Sequence, residues 1–279
     1  MVNNNASITE TVPDITHNRG FLYGDAVFET FKIINKKILF FEDHYFRLMS
    51  SMRILRMKIP MNFTMEYIEK QIFDLLPEGG GFRVRMTVYR NPGGRYLPET
   101  NEVSYLITFE KIEHIAYQVF DEKYEIELYK DFYQPKQLLS NVKSNNRILQ
   151  VIGSIFASEN GFDNCLIMNE QKNIIEALNG NVFLFLDNAL ITPPVSDGCI
   201  NGVMRKQVIA LAKDMGYKVD ETSVSPFNLQ KADEIFITNV IFGLKSVTQY
   251  RKKNFSTSIA TILTEKLNQK ILSESPDLN

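Results

Sequence analysis

The sequence predicts an α/β (α+β) protein of two domains, on three observations. Runs with period-two alternation, such as FRVRMTVYR at 82–90, are interleaved with stripes at helical spacing, such as EDHYFRLMSSMR at 42–53. A stretch without sustained pattern, Lys111 to Lys123, separates a β-rich first half from a second series of strands and helices. It divides the chain into an N-terminal α/β domain over 1–115 and a C-terminal domain over 116–279. With 279 residues, 44% of them hydrophobic and 23% charged, there is material for a core in each.

In chain order, RGFLYGDAVFET carries two glycines, Gly20 and Gly24, that allow tight turns. VFETFKII and KILFF then read as strands joined at Asn35-Lys36-Lys37. The next segment is an amphipathic helix, with Tyr45, Leu48, Met49, Met52 and Leu55 as its apolar stripe and Pro60 beyond its end. Arg47 borders that stripe, and the small Ser50 and Ser51 leave room beside its guanidinium; alternatively it is one more surface arginine. A second helix over Met65–Leu76 stops before Pro77. The glycines Gly79 to Gly81 lack the Gly-Lys-Ser/Thr of a phosphate loop and lead instead into a strand. On that strand Arg83, Arg85 and Tyr89 share one face, and Val84, Met86 and Val88 the other. The turn NPGGRYLPET and the strand VSYLITFE complete the first half.

The second half opens with the strand YEIELYKDF. LLSNVKSNNRILQVIGSIFASENG at 138–161 follows, where Lys143 precedes a segment whose Ile148, Val151, Ile152, Ile155 and Phe156 recur at helical spacing. The lysine stands at a strand-to-helix or loop-to-helix junction among turn-forming Asn141, Ser144, Asn145 and Asn146. NCLIMN, IIEAL, NVFLFL and ALITPP read as strands. A turn at Ile200-Asn201-Gly202 opens a helix from Val203 to Met215, closed by Gly216. YKVDETSV, the short helix FNLQKA, EIFITN, a β segment near LKSVTQY and a helix from Ser256 to Leu272 follow, with SESPDLN as a frayed end.

A net charge of −2 and a pI near 6.0 provide no electrostatic reason for a nucleic-acid or anionic-membrane partner, so small molecules are the expected ligands. Cys165 and Cys199 have neither disulfide-framework nor metal-ligand spacing and are expected as small buried hydrophobes, with no metal site. MVNNNASITE lacks a basic region followed by an apolar core, and no apolar run approaches 18 residues, so a soluble cytoplasmic protein is expected.

Three features have complementary chemistry. Lys143 offers an amine that can form a Schiff base with an aldehyde. Glu176, in IIEALNGN, is a carboxylate that can pair with a protonated ring nitrogen. Gly202-Val203-Met204 opens a helix whose free N–H groups and dipole suit an anion. An aldehyde, a pyridinium and a phosphate are the parts of pyridoxal 5'-phosphate, with Arg47 as a further phosphate partner.

RGFLYGDAVFET, H-x-x-R at His44 to Arg47, the surroundings of Lys143, EALNGNVF at 176–183, TPPVSDGCINGVMR and DEIFITN together resemble the fold-type IV pyridoxal-phosphate enzymes, the aminotransferase class IV family. The match runs over nearly the whole chain in order. The resemblance implies a two-domain D-amino-acid aminotransferase-like fold with the cofactor between the domains, and a homodimer in which a partner loop helps close the site. It implies that Lys143 binds the cofactor covalently, that Glu176 contacts the pyridine nitrogen, and that Arg47 with Gly202 and the amides of Val203 and Met204 binds phosphate.

Aminotransferases of the family usually carry threonines where Met204 and Val240 stand here. The tyrosine and Arg-x-His pair of the D-amino-acid enzymes are replaced by Phe28 and Arg95-Tyr96-Leu97. K-x-x-N-R at Lys143 to Arg147, G-G-R-x at Gly93 to Tyr96, N-G-V-M-R at Asn201 to Arg205 and T-N-V-I at Thr238 to Ile241 resemble 4-amino-4-deoxychorismate lyases more closely, and Thr30 lies where lyases often carry a threonine facing the cofactor. On this resemblance Lys143 and Thr30 are the catalytic residues, Asn239 and Val240 join the cofactor-binding set, and Phe28, Arg95 and Tyr96 face the substrate. The expected reaction yields 4-aminobenzoate, a folate precursor, and pyruvate. The alternatives are a class IV aminotransferase for branched-chain or other amino acids and a catalytically inactive homologue.

Overall fold

In the computed structural model, which describes residues 2–5, 7–9, 14–120 and 122–273, the chain divides after Ile115, and a short later segment, Val142–Asn146, belongs with the first unit. The SESPDLN tail lies outside the described residues beyond Ser273. No helix among the described residues is long and apolar enough to cross a membrane.

The first unit contains β1 (Val2–Asn4), β2 (Ser7–Thr9), α1 (Arg19–Leu22), β3 (Ala26–Ile34), β4 (Lys37–Ile38), α2 (Phe41–Ile54), α3 (Met65–Phe73), β5 (Gly81–Arg90) and β6 (Val103–Ile112). Its strands form one antiparallel sheet in the order β2-β1-β6-β5-β3-β4. Between β3 and β4, Asn35 and Lys36 take left-handed backbone (φ 44° and 65°), the two-residue hairpin turn that matches strand twist. The expected strand KILFF contributes only Lys37–Ile38. Phe40, itself left-handed at φ 54°, turns the chain and stands as the N-cap of α2.

Alternation along the strands sorts their side chains. Val27, Phe31 and Ile33 of β3 and Val84, Met86 and Val88 of β5 pack with Leu48, Met49 and Met52 of α2 and Ile68 and Ile72 of α3 into one core. Each such side chain contributes about 1.5–3 kcal/mol on burial. The opposite face carries Phe28, Thr30 and Lys32 of β3 across from Thr87, Arg85 and Arg83 of β5, a set no apolar core would accept.

The second unit contains β7 (Glu125–Leu128), α4 (Ile148–Glu159), β8 (Asn164–Met168), β9 (Ile174–Ala177), β10 (Asn181–Leu186), β11 (Ala189–Thr192), α5 (Val203–Asp214), β12 (Lys218–Glu221), α6 (Pro226–Lys231), β13 (Glu234–Asn239), β14 (Gly243–Val247), β15 (Gln249–Tyr250), β16 (Lys253–Asn254) and α7 (Ser258–Ser273). Two five-stranded sheets, β12-β11-β10-β13-β14 and β16-β15-β7-β8-β9, share a core that includes Ile126, Leu166, Val182, Leu184, Ile235 and Ile237. Gly216 closes α5 with a left-handed φ of 84°, and a Ser225/Asn228 capping box with Pro226 in the first turn starts α6. Cys165 and Cys199 are free and fully buried, and burial pushes their thiols up to about 11 and about 12.

α4 departs from expectation. Ile152 and Phe156 turn inward beside the buried Gly153 and Ala157, whereas Ile148, Val151 and Ile155 are more than half exposed. The apolar residues at helical spacing are therefore two stripes, and only one of them is covered.

Candidate active site

In the first unit the site grows from the N-terminal half of β3. Val142–Asn146 runs beside that strand: the Phe28 N–H donates to the Lys143 carbonyl (2.9 Å), the Asn145 N–H donates to the Ala26 carbonyl (2.9 Å), and Ser144 bridges Val27. These bonds resolve the junction left open by the sequence in favour of an extended loop before α4, held to β3 by main-chain pairing. Gly24 makes the close approach possible. It has φ 65°, and a Cβ there would overlap the Asn146 side chain, whose amide donates to the Gly24 carbonyl (3.3 Å).

The pairing sets the Lys143 amine 4.3 Å from the centre of the Phe28 ring, and the Arg85 guanidinium carbon lies 3.7 Å from the same centre. Arg85 also donates to the Asn145 side chain (3.0 Å), tying β5 to the lysine loop. Thr30, buried, is next along the Phe28 face and directly opposite Arg85. Phe28, Thr30 and Lys143 are thus brought together within one unit. Arg85, which the alternation of its strand puts on one face with Arg83 and Tyr89, joins them.

Arg47 is anchored on the other face of β3. Its Nε and Nη2 donate to the two carboxylate oxygens of Glu29 at 2.7 Å each, so two of its five N–H donors are committed there. Glu29 also accepts from His44 Nδ1 at 2.7 Å. Burial would raise the Glu29 carboxyl, but Arg47 and then His44 outweigh it and hold the group far below the usual carboxylate range. His44 moves down, first through burial; Glu29 opposes this, while Arg47 and Lys143 add to it. A neutral imidazole donating from Nδ1 to Glu29 fits both directions, and it leaves a buried Nε2 with no partner among the described residues. Glu29 lies outside the residues singled out from the sequence, although a carboxylate placed between Val27 and Phe31 on a core face requires partners, and H-x-x-R supplies a cation in Arg47 and a neutral donor in His44.

Arg95 and Tyr96 lie in the exposed turn between β5 and β6. The Arg95 carbonyl accepts from Arg19 (2.7 Å), which also binds the Gly93 carbonyl (2.9 Å) and Asp25 (2.9 Å). Tyr96 stands 93% exposed, 6.0 Å between ring centres from Tyr23. Within the first unit this turn is fixed through its main chain, and the Arg19–Asp25–Arg90 cluster that fixes it was not foreseen.

In the second unit Glu176 lies buried on β9 and accepts from the Ile200 N–H (2.9 Å), which draws the approach to α5 against it. Asn181 holds the same approach through the Ile200 carbonyl (2.8 Å). Gly202 is the N-cap of α5 and makes no side-chain cap, so the Val203 and Met204 N–H groups lack intrahelical acceptors. A Cβ on Gly202 would overlap the Asn181 side-chain oxygen. Met204 and Val240 have buried, hydroxyl-free side chains.

Asn239 builds the β13–β14 turn: its side-chain oxygen accepts from the Ile241 and Phe242 N–H groups (2.9 and 3.1 Å), and its amide donates to the Asn179 carbonyl (2.9 Å). The Val240 carbonyl accepts from Tyr117 (2.8 Å). One strand position earlier is Thr238, opposite Asn181 in the sheet, whose buried hydroxyl has no partner among the described residues. An uncapped helix N-terminus and an unpartnered hydroxyl beside the residue beneath it suit a phosphate group, which accepts from both. The donor set of this unit therefore fits pyridoxal 5'-phosphate.

A sequence profile of the family described as Amino-transferase class IV matches residues 26–250. A putative branched-chain-amino-acid aminotransferase of Methanocaldococcus jannaschii is 26% identical, over 91% of this chain and 88% of that protein. An aminodeoxychorismate lyase of Vibrio harveyi is 25% identical, over 83% and 85%. Among solved structures, the branched-chain aminotransferase of Thermoproteus uzoniensis with norvaline superposes with a TM-score of 0.88, covering 98% of this chain and 95% of that one at 20% identity, a likeness of fold.

Proposed function

We propose that this chain, which belongs to the amino-transferase class IV family and is a pyridoxal 5'-phosphate-dependent enzyme, is a 4-amino-4-deoxychorismate lyase. The observation that carries this reading is the grouping of the Lys143 amine and the Arg85 guanidinium over the Phe28 ring, with Thr30 next on the same face. A cyclic amine with carboxylate substituents meets there a cation for an anion and a base, both seated on an aromatic ring.

The bound cofactor supplies an aldehyde that takes the substrate amine and an electron-poor ring that acidifies the carbon bearing it. Lys143 is both the cofactor's anchoring residue and the base that removes the proton from that carbon. The electron pair left behind enters the substrate ring as the adjacent ether C–O bond breaks, and enolpyruvate leaves, taking up a proton to become pyruvate. Thr30 is assigned to carry that proton. Glu176 keeps a positive charge on the pyridine nitrogen, and the Ile200 N–H holds the carboxylate in place. The amides of Val203 and Met204 bind phosphate behind the cap at Gly202, and Asn239 and Val240 shape the neighbouring turn. Arg47, oriented by Glu29, adds positive charge. Phe28, Arg95 and Tyr96 are assigned to the substrate. Met204 and Val240 in place of hydroxyl-bearing residues support the lyase over the transaminase.

The second reading is an aminotransferase for branched-chain or other amino acids, favoured by the archaeal relative. The test supplies 4-amino-4-deoxychorismate and follows 4-aminobenzoate, then supplies L-leucine or D-alanine with 2-oxoglutarate and follows glutamate. 4-Aminobenzoate is expected, absent in Lys143→Ala. Glutamate without 4-aminobenzoate would replace the lyase by the aminotransferase.

We also infer that the working form is a homodimer. The uncovered stripe of Ile148, Val151 and Ile155 and the exposed Leu138 and Leu139 supply an apolar surface of the kind a second copy buries.

A further inference from the structure

A second cleft, of about 380 Å³, opens in the second unit, and none of the candidate active-site residues lines it. We propose that it is a binding site for a small planar anion, an aromatic ring bearing a carboxylate or a phosphate. The volume lies at the lower end of the range for small-molecule sites, enough for one substituted ring.

The floor is apolar and rigid: Leu128 of β7, Met168 of β8 and Tyr250 of β15, all buried, lie on adjacent strands of one sheet. Two further aromatic side chains join the lining, Tyr133 and Phe227. Phe227 stands 77% exposed on the first turn of α6. A large ring left in water beside an apolar floor is half of a stacking site.

Besides Pro226 and Gln230, the rest of the lining is cationic. Lys130, Lys172 and Arg251 border the cleft, and no carboxylate does. Lys130 and Lys172 form no ion pair with any described residue, so their charge is available to a ligand. Arg251 is partly neutralised by Glu127 (3.1 Å), which also fixes its position.

Two of these cations sit on backbone that side-chain-bearing residues rarely adopt, with φ 63° at Lys172 and 55° at Arg251. At Lys172 that conformation is secured by the fully buried Asn169. Its side chain accepts from the Gln171 and Asn173 N–H groups (3.1 and 3.0 Å) and donates to the Asp197 carbonyl (3.0 Å), while its carbonyl accepts from the Lys172 N–H (2.8 Å). Lys172 and Arg251 therefore rise from defined turns beside a rigid floor, while the exposed lysine side chains are ordered only as a ligand binds, which keeps the affinity modest. A ring between Phe227 and the floor, its anion toward Lys172 and Lys130, uses both halves.

The test titrates the cofactor-loaded protein with benzoate, phenyl phosphate, cyclohexanecarboxylate and inorganic phosphate, by calorimetry and ligand-observed NMR. Benzoate or phenyl phosphate should bind one per chain with Kd on the order of 0.1–1 mM, and the non-aromatic and ring-free probes at least about tenfold more weakly. The better of the two aromatic probes identifies the anionic group. Phe227→Ala and Lys172→Ala, both at exposed positions, should each weaken binding about tenfold and leave turnover at the wild-type value. Aromatic binding of unchanged strength in both variants, equal binding of cyclohexanecarboxylate, or no saturable binding of either aromatic probe would overturn the proposal. Because benzoate also resembles the product of the proposed reaction, the cleft is read only from the binding that Phe227→Ala and Lys172→Ala weaken, and the active site from the binding that they leave unchanged.

Discussion

Glu29 is the residue with most at stake for its size. It sits with Val27 and Phe31 on a core face, and its carboxylate is stable there because Arg47 grips both oxygens while His44 donates to one. Glu29→Gln keeps the shape but leaves the guanidinium without its anion, and the expected loss is about 3–5 kcal/mol in urea unfolding. The pH dependence has a definite sign. The folded carboxyl titrates below its ordinary value of 4.5, so the native state binds fewer protons than the unfolded state in acid. The contribution of Glu29 is complete above that value and lost as pH falls below it. Wild-type stability should therefore drop more steeply than that of Glu29→Gln between about pH 5 and pH 3; parallel curves would show that the carboxylate does not carry the acid sensitivity.

At the scale of elements, the start of α5 is built from both sides. Gly202 leaves the first-turn amides uncapped, Asn181 and Glu176 hold the Ile200 peptide from its two ends, and Thr238 places a hydroxyl on the neighbouring strand. A buried hydroxyl without a partner costs about 1–3 kcal/mol, a cost recovered only when something accepts or donates there. Thr238→Val, which keeps the branched shape, should raise the thermal stability of the cofactor-free protein by an amount equivalent to about 1 kcal/mol. It should also weaken pyridoxal 5'-phosphate binding about fivefold. The two readouts move in opposite directions only if the hydroxyl serves the cofactor. A purely structural hydroxyl would lower stability without changing affinity.

For the whole molecule, the uncovered stripe of α4 is the face we infer to join two copies. Ile148, Val151 and Ile155 repeat at the spacing of a buried face, yet in the single chain they meet solvent. Sedimentation velocity should give a dimer for the wild type. The double variant Ile148→Lys, Ile155→Lys should sediment as a monomer at the same concentration, because two buried ammonium groups on an apolar interface cost several kcal/mol. A wild-type monomer, or a variant that stays dimeric, would remove this face from the interface.

Much of the fold was legible because periodicity reports local geometry. The alternation of β5, the amphipathic α2 and the Gly216 stop of α5 follow from which side chains must leave water and which backbone angles glycine allows. The candidate residues Lys143, Glu176 and Gly202 were picked out for a different reason: each alone has ordinary uses, and their complementary chemistry, together with the resemblance of the surrounding motifs to a known family, joined them into one candidate set. What only the tertiary structure decided is how those residues are held. Lys143 stands over Phe28 because a five-residue loop pairs with the edge of β3, and Arg85 joins it from a strand far away in the sequence. Arg47 is fixed by a glutamate that local pattern placed among core residues without a partner. The outward face of α4 could not be told from its inward face, since both are apolar at helical spacing and only the neighbours that pack against one of them break the tie. Periodicity along a chain specifies what a segment must bury; which partner it meets is a property of contacts between segments, and those exist only in the folded molecule.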